Sequence, residues 1–313
     1  MEKLIRKIKT AAASLMALLP ALSTLSYAAS TYDPVEMMAL VNASPAAVEV
    51  HDRNSWLELF SYYATIEDPV GTRPHTATGF NESTQTRNDI ALQKFYDTFI
   101  KPNDIIFHVE RDVIAGSYVL RSVNIETRLG HGVIVTVPTH ILYEVVVQEN
   151  ELKLNHLAAH WELQPMVQQV LGKGFNGLMV MFELGFRMIG VQGIQGVVGY
   201  MQGFKGILAS GKSTVNSFVD AVNNNDSEAL SLLFKASGGS VEFPMSERSF
   251  DVSTFAQYMQ NVSIEVSQLQ SAGWNTTFEF TLVDNGETHR GVGIFVFDAA
   301  TKKLAHAEFY WDD

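Results

Sequence analysis

The chain of 313 residues contains no cysteine. That excludes disulfides, a thiol nucleophile, a cysteine-ligated zinc and a lipid-modified cysteine anchor, so the fold must rest on its packed core. Positive charge is also scarce. Only 22 Lys+Arg stand against 34 Asp+Glu, for a formal net charge of −12. A surface of that sign repels phosphate backbones, which sets nucleic acid aside as a partner. Long apolar runs are few. Thr10–Leu25 and Met188–Phe204 are free of charge, yet both fall short of the roughly 20 residues that span a bilayer as a helix.

What is present is a globular composition, 46% hydrophobic and 18% charged. Its length suits two domains of about 130 residues. The N-terminus has Lys3, Arg6, Lys7 and Lys9, then the apolar Thr10–Leu25, then the small residues of Ser26-Tyr27-Ala28-Ala29. This is a secretory signal layout with cleavage after Ala28, and it predicts an exported protein, periplasmic or secreted. An uncleaved membrane anchor is the alternative. Without residues 1–28 the chain carries 18 Lys+Arg and 33 Asp+Glu, a net charge of −15.

Three regions follow. Residues 33–165 read as helices at Ser44–His51, with Ser44-Pro45 as cap and first turn, and at Arg53–Phe60. A Thr-, Gly- and Pro-rich loop covers 71–85, and a third helix Thr86–Phe99. Strands follow at 104–115, 117–129, 132–148 and 151–162. Residues 212–313 repeat this order, with helices at 213–223, 227–235 and 252–269 and strands at 275–284, 288–298 and 303–311. The repeat is also local. Thr65-Ile66-Glu67-Asp68-Pro69 matches Ser240-Val241-Glu242-Phe243-Pro244, and Ala159-His160-Trp161-Glu162 matches Phe309-Tyr310-Trp311-Asp312. The pattern predicts an α+β fold in tandem duplication.

Residues 166–211, between the copies, are apolar and glycine-rich. Gly190, Gly193, Gly196 and Gly199 recur every three residues, followed by Gly203 and Gly206. Each interior glycine costs a helix roughly 1 kcal/mol against alanine, a cost offset where another chain segment or lipid approaches closely. Three readings stay open: a helical hairpin packed on the two domains, a hairpin on a membrane surface, and a true span.

The run Ala64-Thr65-Ile66-Glu67-Asp68-Pro69-Val70-Gly71 resembles that of the ketosteroid isomerases, a family of the NTF2-like, SnoaL-like superfamily. The resemblance covers roughly residues 44–162. It implies a cone-shaped α+β domain, three helices on a curved antiparallel sheet with an apolar cavity between them. It implies that Asp68 is the base that moves a proton beside a ketone. Phe95-Tyr96 and Trp161 match the family's cavity aromatics, and Tyr63 is a further candidate for the cavity. The resemblance places His140 where the family keeps a protonated Asp, so His140 is the expected oxyanion donor. The family's tyrosine donor has no counterpart at its own place, where Ser44 stands, and Tyr62, Tyr63 and Tyr96 are the candidates to substitute for it. In the second copy Phe243 replaces the base, which implies a domain without catalysis.

A lone carboxylate suits such chemistry. Its basicity rises with desolvation, and it can hold a proton and return it. No cofactor or metal is implied. The expected ligand is an apolar, steroid-like cyclic ketone. The copies are expected to pair within the chain or as a homodimer. A lipid or steroid carrier without catalysis, and a cyclase, dehydratase or hydrolase using Asp68 with His140, are the rival functions.

Two weaker signals complete the reading. Gly206–Ser213 fits the phosphate-loop pattern but follows no evident strand, so Ser210–Ser213 is expected to cap a helix instead. His156 and His160 are spaced as a metal pair on one strand face, without an indicated third ligand.

Overall fold

Asp33 accepts a hydrogen bond from the Val35 N–H and Pro34 fills the first turn, so α1 runs Pro34–Glu49. The structure, a computed structural model, describes residues 32–312; the signal segment expected at 1–28 lies outside them. The expected start at Ser44-Pro45 falls inside α1. Met37, Val41, Ser44 and Val48 form one buried stripe, and packing of that stripe overrides the N–H that Pro45 lacks. Asp52 caps α2 (Arg53–Glu58) through the Ser55 N–H and hydroxyl. β1 is Phe60–Glu67. The expected loop contains the short strands β2 (His75–Thr76) and β3 (Phe80–Asn81), and β4 (Thr86–Arg87) pairs with β3.

The third helix starts later than expected. Arg87 donates to the Leu57 and Phe60 carbonyls, which holds it in β4. α3 is therefore Ile90–Phe95, and it continues as a π-helical turn over Tyr96–Ile100. Then come β5 (Asp104–Ala115), β6 (Tyr118–Arg128), β7 (Ile134–Gln148) and β8 (Glu151–His160), close to the expected spans. They form one sheet in the order β2-β1-β8-β7-β6-β5, with β1 parallel to β8 and the other neighbours antiparallel. Irregular register in β5 and between β7 and β8 marks bulges, which bend a sheet.

The linker is helical: α4 (Leu163–Leu171), α5 (Phe175–Gln192) and α6 (Ile194–Met201). Then follow α7 (Ala209–Asn223), α8 (Ser227–Leu233), β9 (Ser240–Glu242), β10 (Ser249–Asp251) and α9 (Val252–Tyr258). The last strands are β11 (Ser263–Ala272), β12 (Asn275–Asp284), β13 (Glu287–Phe297) and β14 (Leu304–Trp311). The long helix expected at 252–269 is thus a short helix and a strand. β12 offers β11 a ladder along its whole length, which a helix there would leave unpaired.

The second sheet has the order β10-β9-β14-β13-β12-β11, again with one parallel pair, β9 with β14. The fold is α+β, two cones of helices seated on six-stranded sheets. The sheets meet through their outer faces, where Leu120, Leu142 and Ala158 pack with Val292, Ile294 and Tyr310. Gly71 closes the motif run at this junction. Its φ is +93°, and an added Cβ would lie 2.4 Å from the Cα of Gly273. Two backbones touch there, so neither position has room for a side chain.

The interior of the second cone is filled by phenylalanines. Phe243 packs edge-on against Phe255, Phe309 and Trp311. The glycine-rich Gly206–Ser213 run follows a 3-10 turn, Gln202–Phe204, rather than a strand. Its Lys212 is bound to Glu162 at 2.8 Å. Ser210–Ser213, expected as the cap, lie inside α7, which is preceded by Leu208 and has no side-chain cap among the described residues; the Ser213 hydroxyl bonds back to the Ala209 carbonyl.

Candidate active site

Parallel pairing of β1 with β8 brings the residues after both strands to the same end of the sheet. Asp68 follows β1 and Trp161 follows β8. The indole Nε1–H donates to Asp68 Oδ1 at 2.6 Å. Burial nevertheless raises the Asp68 pKa to about 6, against the lowering effect of that hydrogen bond.

Asp68 lines a cavity of about 180 Å³ between the sheet, α1, α3 and the linker. The wall follows the period of a strand. Val135, Val137, Thr139, Ile141 and Tyr143 on β7, and Leu157, Ala159 and Trp161 along β8, all face it. Phe95 also lines it.

Three expected residues lie elsewhere. His140 has the opposite parity from Thr139 and Ile141. Its imidazole points to the other sheet, with Nδ1 2.7 Å from the Thr277 hydroxyl. Burial, with the neighbouring His160, drives its pKa down to about 3. Tyr96 is buried outside the cavity wall against Trp56, its hydroxyl without a hydrogen-bond partner among the described residues. Tyr63 is 70% exposed and lies over Gly79. His156 and His160 do not converge. His156 meets Glu67 at 3.1 Å, while His160 lies against the His140 carbonyl and Asn275.

The cavity holds polar groups that the motif run does not announce. Tyr143 reaches it from β7 and Tyr200 from α6. Burial pushes both phenols far above their ordinary pKa, and the Asp68 charge adds to this. Both therefore stay protonated as hydrogen-bond donors. Arg187 on α5 also lines the cavity, its Nε buried and without a partner among the described residues. Burial lowers its pKa.

The linker is thus the fourth wall. Val170 on α4 and Val180 and Leu184 on α5 close the cone over the sheet. Its later glycines fit against the loop after Asp68. An added Cβ at Gly199 would lie 2.6 Å from Arg73 Cβ, and one at Gly203 2.7 Å from Thr72 Cγ2. Tyr200 stacks on Phe99, ring centroids 5.6 Å apart. Both rings border the cavity and also a polar outer hollow of about 400 Å³, which shares Asp68 and is lined by His75, Lys94 and Gln192. Burial lowers the His75 pKa to about 4, so it is neutral at pH 7.

No family model matches the chain, and no curated protein matches it. Solved structures do. A Δ5-3-ketosteroid isomerase from Mycobacterium sp. is 25% identical, covering 41% of this chain and 95% of its own, at a TM-score of 0.34. A Mycobacterium tuberculosis protein in complex with estradiol-17β-hemisuccinate is 20% identical over 41% of this chain and 95% of its own, TM-score 0.34. A SnoaL-like polyketide cyclase from Shewanella denitrificans is 13% identical over 45% and 99%, TM-score 0.34.

Proposed function

We propose that the first cone is an isomerase of the ketosteroid-isomerase kind, moving a proton within an apolar cyclic ketone without a cofactor. The observation that carries this reading is Asp68 itself, a carboxylate with a pKa of about 6 on the wall of an apolar cavity. At pH 7 it is mostly ionised, yet basic enough to accept a proton from carbon activated by an adjacent carbonyl.

The steps balance with this chain's residues alone. Asp68 takes the proton from the carbon alpha to the ketone, and the electron pair of that C–H bond moves into a dienolate. Tyr143 and Tyr200 donate hydrogen bonds to the oxygen where negative charge develops. The protonated Asp68 then delivers the same proton to the gamma carbon, giving the conjugated enone. Trp161 holds the carboxylate in place and moderates its basicity. Tyr143 and Tyr200 thus take the part that the resemblance gave to His140.

The volume narrows the substrate. A cavity of about 150 Å³ accepts a benzene-sized guest, so 180 Å³ with the linker closed suits one or two fused rings. A four-ring steroid requires outward movement of α5 and α6. Arg187 is the cation on this wall and suits a ligand with an electron-rich group away from the reacting ketone.

The tandem duplication belongs to the same reading. The two sheets repeat one strand order, and Phe243 stands before Pro244 as Asp68 stands before Pro69. A filled second cone supports the first by packing and carries no reaction. Export through residues 1–28 would place this activity outside the cytoplasm.

The test is turnover of a β,γ-unsaturated cyclic ketone, followed by the absorbance of the conjugated product, with Asp68→Asn as the comparison. A second reading, an apolar-ligand carrier, is favoured only by the closed apolar cavity, and it predicts binding without turnover.

A further inference from the structure

The linker helices are apolar on both faces. The inner face closes the cavity. The outer face carries Phe175, Leu178, Phe182, Phe186, Ile194 and Val198, all exposed, with Phe182 at 63% and Phe186 at 73%. The spacing of the first four is three or four residues, so they form one stripe along α5, and α6 continues it. Gly185 and Gly190 open onto the same unoccupied side, with nothing within 4 Å of an added Cβ. A stripe of this size on an otherwise acidic, soluble-type surface marks an interaction face.

Charge selects its occupant. The chain as a whole is at −12, yet residues 163–206 carry Lys173 and Lys205, besides the Arg187 that lines the cavity, against Glu183 alone. Glu183 is engaged by His131 at 2.7 Å, and Lys173 and Lys205, which precede and follow these helices in the chain, are exposed. A second copy docked through the same face would set its own Lys173 and Lys205 on the same patch, like charge toward like. An anionic lipid surface meets both features, since phenylalanines enter the acyl boundary while lysines meet the headgroups. Among the described residues no helix is long and apolar enough to cross a membrane, and a helix pair lying in the interface needs no such length.

We propose that the outer face of α5 and α6 docks on an anionic phospholipid surface, so that the helices closing the cavity are also the ones that meet lipid. An apolar ligand dissolved in the membrane would then enter beside Tyr200 and Phe99. This docking does not depend on the reaction assigned to Asp68, and Asp68→Asn should bind vesicles like wild type.

The absence of cysteine makes a clean test. Phe182→Cys and, as a control far along the sequence, Asn285→Cys each take one environment-sensitive NBD label in the full chain. Vesicles of phosphatidylcholine with phosphatidylglycerol should shift the 182 label to the blue, and brominated lipid should quench it. The 285 label should stay as in water, pure phosphatidylcholine should act weakly, and added salt should weaken the effect. Phe175→Ser with Phe186→Ser should weaken the response about tenfold. The proposal is overturned if the 182 label stays water-like on vesicle-bound protein, which would assign binding to another segment. It is equally overturned if the label shifts without lipid as a dimer forms in sedimentation, which would assign the face to a second copy.

Discussion

Trp161 Nε1 donates a hydrogen bond of 2.6 Å to Asp68 Oδ1, across the parallel pair that joins β1 to β8. The contact ties the carboxylate to the sheet and stabilises its ionised form, while burial acts against that form and prevails. Trp161→Phe removes the donor and keeps the ring. A hydrogen bond to a charged group is worth about 1.5–3 kcal/mol, so the acid limb of the rate profile should move up by about one to two pH units. A profile that does not move would remove this contact from the account.

Asp68 also makes stability depend on pH. Folding raises its pKa from 3.8 to about 6, so the folded state holds this proton more tightly than the unfolded chain. Its favourable contribution is full below about pH 4 and is lost as pH rises through about 6. Asp68→Asn lacks that loss. Urea unfolding at pH 8 should show the variant more stable by up to about 3 kcal/mol, with the two proteins converging near pH 4.

His140 behaves in the opposite sense. Its folded pKa is about 3, so it stays neutral when folded and binds a proton below about 6.5 when unfolded. It adds stability at neutral pH that is lost as pH falls from about 6.5 toward 3. His140→Gln should keep activity at pH 7 within about twofold and flatten the acid loss of stability in denaturant titrations. A large fall in kcat at neutral pH would return His140 to the reaction.

Tyr143→Phe and Tyr200→Phe each remove one donor from the cavity. Loss of one such donor costs about 10²–10³ in kcat where it faces the developing oxyanion. Each variant should lose kcat in that range with KM little changed. A change confined to KM would assign the phenols to substrate binding alone.

The second cone should respond as a core. Phe243→Ala should destabilise the protein by about 3–5 kcal/mol, measured by denaturant, while the folded variant keeps its kcat. Loss of kcat in folded protein would mean that the filled cone takes part in the chemistry.

The strands of the first cone were legible in the sequence because their β-branched runs are long and their ends are marked by glycine and polar turns. The helices were less so. Pro45 looks like a start, and only the buried stripe of Met37, Val41, Ser44 and Val48 tells that it is not. Asp68 is marked in the sequence by its motif run, and Trp161 and Phe95 line the same cavity as Asp68. His140 stands on the face of β7 away from the cavity, since neighbouring residues of a strand face opposite ways. The alternation Val135, Val137, Thr139, Ile141, Tyr143 carries the correction and points to Tyr143 at its end. Tyr200 and Arg187 had no such signal. They reach the cavity only because the linker folds back over the first cone, a tertiary event that no local period encodes. Phe182 and Phe186 were similarly silent, since a helix apolar all round does not say which side the protein covers.

The most direct test is the ultraviolet assay of a one- or two-ring β,γ-unsaturated ketone with wild type and Asp68→Asn at pH 7. General-base catalysis contributes about 10²–10⁴ to such a rate, so the account predicts conjugated product with wild type and a loss of at least about 10² in kcat for the variant. Equal rates in both proteins, or tight binding of the ketone with no conjugated product from wild type, would contradict it.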